Sequence, residues 1–365
     1  ESVLFQGLWN GHQPFTINPA YKKGTTMHTW IADLHCDSVL RLLEDEEAGR
    51  TPNIIKNDHH IDLEGMKKAG YGLQTFALFT DRGHERHPEH QVLRLYHQYL
   101  KMIEQARGEL VPILTRQDLE RARREGKIGA LLSLEEGDVM FQDLALLDLW
   151  SRFGVRMIAL TWNYTNAIGC GNFEMRPELD YTNPAVFRTI ETKKGLTEFG
   201  KQFVQEMEKL HILPDVSHLS DKGFWDVMET ATGPVFASHS NARALTDVPR
   251  NLSDDMIKAI ADKGGLIGIN FCAGFLDDFE STESTIQDIL RHIHHIKKVG
   301  GIDCLALGTD YDGIDSKLEI ENCSKMPVLQ QALLEDGFTQ EEVSKIMGEN
   351  VRRVLMEVLP DENER

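Results

Sequence analysis

The chain has 365 residues, 41% of them hydrophobic, and a formal charge of −19 at pH 7. That length can bury a substantial core, and the charge argues against general binding to nucleic-acid phosphates or anionic membranes. No uninterrupted apolar run of about 18 residues is present, so no membrane span is expected.

Five cysteines, at positions 36, 170, 272, 304 and 323, form no Cys-x-x-Cys pair and are odd in number. A disulfide framework and a thiolate zinc knuckle are both disfavoured, and a reducing, cytoplasmic setting fits best. The first 26 residues are polar, broken by Gly and Pro, and without periodicity. Within them Val3-Leu-Phe-Gln-Gly7 resembles the recognition site of a viral 3C-type protease used in expression vectors. Residues 1–26 are therefore expected to be a vector segment, with Met27 the native start and one domain over 27–365.

Ile31-Ala-Asp-Leu-His-Cys-Asp37 reads as a short apolar strand ending in a histidine and a carboxylate. Side chains alternate along a strand, so His35 and Asp37 would share a face, with Asp33 one layer deeper. Alone, a His-x-Asp at a strand end is more often a polar turn. A short helix over 38–47 and a second strand over 73–79 follow. Residues 88–107 suit an amphipathic helix through Val92, Leu95, Tyr99, Met102 and Ile103. After a short helix at 119–126, the third strand, 129–135, ends in Glu135.

A helix at 144–153 leads to a strand at 155–161. The stretch with Gly169, Gly171, Pro177 and Pro184 then reads as a long loop. The helix at 196–210 places Phe199, Phe203, Met207 and Leu210 on one face. Strands at 212–218 and 234–239, separated by a helix at 221–231, both end in histidine. Ser253 caps the next helix. Strand seven is 265–271, residues 283–299 are helical, and strand eight, 304–310, ends in Asp310. Two C-terminal helices follow, the last opened by the capping box Thr339-Gln-Glu-Glu342.

Eight apolar strands mostly separated by helices fit an α/β (β/α)8 TIM barrel with extra C-terminal helices. The strands are continuous Val/Ile/Leu runs, as in a sheet buried on both faces. An open doubly wound sheet is the main competitor, but no Gly-x-Gly-x-x-Gly follows the first strand. In a barrel the C-terminal strand ends converge, which would gather His35, Asp37, Glu135, His218, His239 and Asp310. Three imidazoles and three carboxylates suit a borderline divalent metal, above all Zn2+. One bridging carboxylate would let two ions sit about 3.5–4 Å apart with a water between them, which implies metal-assisted hydrolysis. His59, His60, His84, His87, His90, His292, His294 and His295 read as surface or packing residues.

The runs Asp33-Leu-His-Cys-Asp37, Leu134-Glu-Glu-Gly137, Leu160-Thr-Trp-Asn163 and Asp215-Val-Ser-His218 occur in this order. Ser238-His-Ser240, Arg250-Asn251, Gly308-Thr-Asp-Tyr-Asp-Gly313 and Gly348-Glu-Asn350 continue the series. Together they resemble the membrane (renal) dipeptidase family, peptidase family M19 of the amidohydrolase superfamily, from Met27 to Leu359. The resemblance implies a zinc-dependent dipeptidase that hydrolyses small dipeptides, L-Xaa-D-Xaa pairs included. By the same resemblance His35 and Asp37 bind one zinc, His218 and His239 the other, and Glu135 bridges both.

Asp310 is implied as the group that moves the proton from the bridging water to the leaving amine, and Arg250 as the clamp on the substrate carboxylate. Trp162 stands where some members carry an oxyanion-stabilising histidine, which shifts that role toward zinc or Asn163. Cys272 stands where a tyrosine often follows Asn-Phe. A homodimer is expected from the family. The alternatives are a related amidohydrolase acting on N-acyl amino acids or lactones, and a barrel that keeps metal or ligand binding without catalysis.

Overall fold

The computed structural model describes residues 30–81, 87–139, 142–172 and 193–364; the expectation for residues 1–26 and the position of His84 lie outside them. Eight parallel strands form the barrel: β1 (Ile31–Asp33), β2 (Tyr71–Phe79), β3 (Ile128–Glu135), β4 (Val155–Ala159), β5 (Leu213–Asp215), β6 (Phe236–Ala237), β7 (Leu266–Ile269) and β8 (Leu305–Leu307). Each pairs with the next in the order of the chain, and β1 pairs with β8, Asp33 opposite Leu307, to close the ring. The longest ladder joins β2 and β3, from Leu73 opposite Gly129 to Phe79 opposite Glu135. The TIM barrel read from the apolar runs is the observed fold.

Its interior and its outer wall are separate apolar clusters. Leu73, Leu131, Met157, Leu213, Phe236 and Leu266 pack together with Val351, Val354 and Leu355 of the last helix, Asn350–Val358. Ile158, Phe203, Ile267, Ile293 and their neighbours fill the layer between strands and helices. Burial on both faces is why the strands lack a polar/apolar alternation.

Helix boundaries follow local chemistry. Thr115 and Asp118 form a capping box at the helix Arg116–Glu125, and Thr339 and Glu342 form the expected one at Gln340–Ser344. Ser253 accepts from Met256 N at the start of the helix Asp254–Asp262, as expected. The last helix does not run on from the Thr339 cap. It is broken at Gly348, where a Cβ would sit 2.3 Å from Trp30 O beside β1. The helix Leu63–Ala69, the strand Leu110–Pro112 beside β3 and the strand pair Glu283–Ser284 with Lys317–Leu318 were outside the sequence expectation.

Six of the eight strands are also shorter than their apolar runs, while β2 and β3 each begin one or two residues earlier than expected. β1 stops at Asp33, β5 at Asp215 and β8 at Leu307, so His35, Asp37, His218, His239 and Asp310 stand in the turns beyond the strands; Glu135 alone is a strand residue. The cause is competition for backbone donors. Asp33 Oδ1 accepts from Thr309 N (3.0 Å) and His35 N (3.4 Å). Asp215 Oδ1 accepts from Ser217 N (3.0 Å) and Ser238 N (2.9 Å). These carboxylates replace ladder bonds and release the chain into turns.

Candidate active site

The turns after the strands bring the six predicted residues to one buried point. Glu135 projects from the end of β3 between two sets of imidazoles. Its Oε2 lies 3.1 Å from His35 Nε2, and its Oε1 lies 3.1 Å from His218 Nε2 and 3.6 Å from His239 Nε2. Asp37 Oδ2 is 3.3 Å and Asp310 Oδ1 3.8 Å from His35 Nε2. The rings of His35 and His239 stack with centroids 3.9 Å apart. Glu136, the other acid of the pair, turns away and accepts from Asp138 N, Trp162 N and Asn166 Nδ2.

Backbone conformation aims these side chains. His218 (φ +69°) and Asp310 (φ +63°) are left-handed, as are Glu136 (φ +87°) and Asp312 (φ +69°) beside them. Each such residue costs about 1–3 kcal/mol and persists only where its surroundings hold it. Asp312 shows the holding: its carboxylate accepts from Ser38 Oγ and His60 N, while its N–H donates to His60 Nδ1 at 2.8 Å. Gly313 follows, and a Cβ there would fall 2.2 Å from Asp37 Oδ2 and 2.6 Å from Asp310 Oδ1.

The imidazoles are oriented from behind. His218 Nδ1 is 2.8 Å from Asn163 Oδ1, an acceptor, so the proton sits on Nδ1 and Nε2 is bare. His239 Nδ1 donates to Ser238 Oγ (2.7 Å), which donates to Asp215 Oδ2. Ser238 and Asp215 thereby fix the second tautomer, the outer-shell arrangement that metal-ligating histidines use. The two bare Nε2 atoms face each other at 3.0 Å. Burial, reinforced by the charges of Arg250 and His35, keeps both imidazoles well below the ordinary histidine pKa, in the neutral form that ligates metals.

The other half gathers negative charge. Burial raises Glu135 to about 7 against the pull of His35, and raises Asp310 as well. Burial works against a charge on His35, but Glu135 and Asp37 hold its pKa well above the usual value.

A divalent cation fits this donor set. His35 Nε2 and Asp37 Oδ1 are buried without a hydrogen bond of good geometry. Three-residue groups able to hold an ion are His35/Asp37/Glu135, Glu135/His218/His239 and His35/His239/Asp310, and the first two share Glu135. Facing lone pairs and converging carboxylates are both relieved by a positive ion between them.

Above the cluster opens a cavity of about 520 Å3, lined by Arg250, Trp162, Asn163, Cys272 and Phe79 as well as by Asp37, Glu135, His218 and Asp310 of the cluster. Arg250 is buried, its guanidinium donating to Ser240 Oγ (3.3 Å) and His239 O (3.1 Å) with Nε unpaired. Trp162 lines the cavity with its ring 6.0 Å from that of His218. Asn163, read as a substrate contact, has its Oδ1 on His218. Burial pushes the Cys272 thiol up to about 11.

Asn270 was not singled out from the sequence, and Asp215, Ser238 and Gly313 stood only within the family runs, with no role of their own. Asn270 Nδ2 donates to Asp310 Oδ2 at 2.9 Å and to His239 O at 3.2 Å. The available signal was a polar residue at the end of an apolar run, which Asp215, Ser238 and Asn270 all share. Among the described histidines outside the cluster, His59 pairs with Asp45 (2.8 Å), His295 with Asp254 (2.6 Å) and His294 with Asp336.

The family profile described as Membrane dipeptidase (Peptidase family M19) matches residues 23–364. The chain belongs to peptidase family M19. Dipeptidase tcpJ of Claviceps purpurea is 30% identical over 269 residues, 73% of this chain and 57% of that protein. Among solved structures, the M19 metallopeptidase called dipeptidase AC is 27% identical with a TM-score of 0.81, covering 91% of this chain and 99% of its own. A metallopeptidase from Rhodobacter sphaeroides, liganded with a phosphinate mimic of the dipeptide L-Ala-D-Ala, is 26% identical with a TM-score of 0.79, covering 90% and 99%. This M19 chain is a metal-dependent hydrolase of the dipeptidase type. Among the described residues no helix is long and apolar enough to cross a membrane.

Proposed function

We propose that the cluster holds two Zn2+ ions and that the chain hydrolyses small dipeptides, L-Xaa-D-Xaa pairs included. The observation that carries this is Glu135, buried, with one oxygen toward His35 and the other toward His218 and His239. His35 and Asp37 would hold one ion and His218 and His239 the other, with Glu135 serving both. When bound, such ions lower the pKa of water and polarise a carbonyl.

The chain's own residues do the rest. Asp310 stands at the cluster with Oδ2 held by Asn270, which suits it to accept a proton from the attacking water and return it to the leaving amine nitrogen. Arg250 presents a planar two-donor fork to the substrate's terminal carboxylate. Trp162 can donate one hydrogen bond but has no proton to exchange, so it shapes the cavity rather than the proton path. The phosphinate dipeptide mimic held by the Rhodobacter relative supports the substrate class. We read the protein as a cytoplasmic homodimer, the compartment supported by the lack of disulfides among its five cysteines and the dimer by family resemblance.

The test is metal analysis together with a substrate screen. Near two zinc per chain are expected, with both lost in Glu135→Ala; one retained metal contradicts the shared-carboxylate arrangement. Zinc-loaded protein should turn over L-Xaa-L-Xaa or L-Xaa-D-Xaa dipeptides in preference to N-acyl amino acids and lactones. No dipeptide turnover with full metal occupancy contradicts the reading.

A further inference from the structure

The cavity above the cluster has two sides of different chemistry. In the eight-strand ring β2 and β6 stand opposite each other. Arg250 lies in the segment after β6, and its Cζ sits 5.3 Å from the ring centroid of Phe275. Phe79 ends β2, across the mouth. There it meets the ring of Trp162, which follows β4, edge-on, with centroids 5.0 Å apart and planes at 69°. Both rings are half-buried and line the cavity. Arg41, also at the rim, is held by Glu44 Oε2 (3.0 Å) and Asp312 O (2.8 Å).

We propose that Phe79 and Trp162 form the subsite for the side chain of the substrate's N-terminal residue, and that the enzyme prefers dipeptides in which that side chain is bulky and apolar. The proposal rests on the reading that Arg250 takes the C-terminal carboxylate. A dipeptide spans only about 7 Å when extended. Anchored at Arg250 with its peptide carbonyl over Glu135, it carries its N-terminal residue toward the far side of the ring, where β2 and β4 end. Two mutually packed aromatic rings present a rigid apolar surface, and such rings gain most from burying aromatic or branched aliphatic groups. A carboxylate side chain placed there would lose its hydration without a cationic partner, because the rim guanidinium of Arg41 is already held by Glu44 and Asp312.

The experiment measures kcat/KM of the metal-loaded protein for L-Leu-L-Ala and L-Phe-L-Ala against Gly-L-Ala, and for L-Ala-L-Leu against L-Ala-Gly. The first ratio should exceed about tenfold, the scale on which an apolar pocket discriminates by size. Trp162→Ala and Phe79→Ala should each narrow it about fivefold or more, with the second ratio moving less than about twofold. Inhibition constants of phosphinate mimics of the same dipeptides should follow the same order, giving a readout independent of turnover.

A flat N-terminal ratio in the unmodified enzyme overturns the proposal even if the variants do not fold. A change confined to the C-terminal ratio overturns it too. Failure of the underlying reading looks different: dipeptide amides, whose C-terminal carboxylate is blocked, would then be cleaved as well as the free acids.

Discussion

Asp310 reaches the cluster with Oδ2 held by Asn270 Nδ2 and Oδ1 toward His35. Asn270 is itself fixed, its Oδ1 accepting from Cys272 N at 2.6 Å and its backbone N–H donating to Asn241 Oδ1 at 3.0 Å. Without that donor the carboxylate is free to rotate, and a misplacement of about 1 Å can cost about a hundredfold in rate. Asn270→Ala is therefore expected to lower kcat by about that factor, with KM and metal content changing little. Asn270→Asp keeps the acceptor for Cys272 N–H and loses the donor, so it should resemble Asn270→Ala; near-normal kcat in Asn270→Asp would show that the donor does not position Asp310. The six cluster residues were legible in the sequence because each is a ligand-type side chain at the end of an apolar run. Asn270 and Ser238 were not, since an amide and a hydroxyl are common in turns and their partners are distant in the chain.

Among the elements, most helices were legible to within a few residues, with Leu63–Ala69 missed, whereas six of the eight strands were overrun. Apolar runs continue past the point where Asp33 and Asp215 take over the backbone donors, and hydrophobicity does not register that exchange. The helix Ile286–Gly300 shows what pattern reading leaves open. Of its three histidines His292 is fully buried, with Nδ1 accepting from Ala242 N (3.0 Å) and Nε2 bonded to Leu276 O (2.8 Å).

Burial lowers its pKa to about 4, while an unfolded histidine titrates near 6.5. Below about pH 6.5 the unfolded chain therefore binds a proton that the folded one refuses. The stability is complete above that pH and declines as pH falls toward 4. Between pH 7 and pH 5 this residue alone should remove about 2 kcal/mol. Denaturant titrations at the two pH values should find that loss in the parent protein and a correspondingly shallower one in His292→Asn. Equal pH dependence in both proteins would count against the assignment.

At the scale of the whole molecule, closure of the ring depends on a few bonds between its first and last strands. Asp33 is fully buried and accepts from both Thr309 N (3.0 Å) and Thr309 Oγ1 (2.7 Å). Asp33→Ala would strand those donors inside the barrel, at a cost of about 3 kcal/mol in unfolding free energy, measurable by urea denaturation. A change below about 1 kcal/mol would mean that water replaces the carboxylate. The barrel class was legible because eight apolar runs recur with helices between them. The seam was not, because the spacing of strands along a chain does not say which pair meets last.

Asp33 and Thr309 are 276 residues apart. Side chains of the metal cluster are likewise spread from His35 to Asp310. A ribosome making this protein releases His35 and Asp37 long before the strand that completes their surroundings, so no emerging fragment can assemble the cluster. The early half must wait as an open sheet with unpaired edges, a form prone to aggregate. Metal capture is therefore an event of the finished chain, and zinc supply acts on the folded population rather than on synthesis.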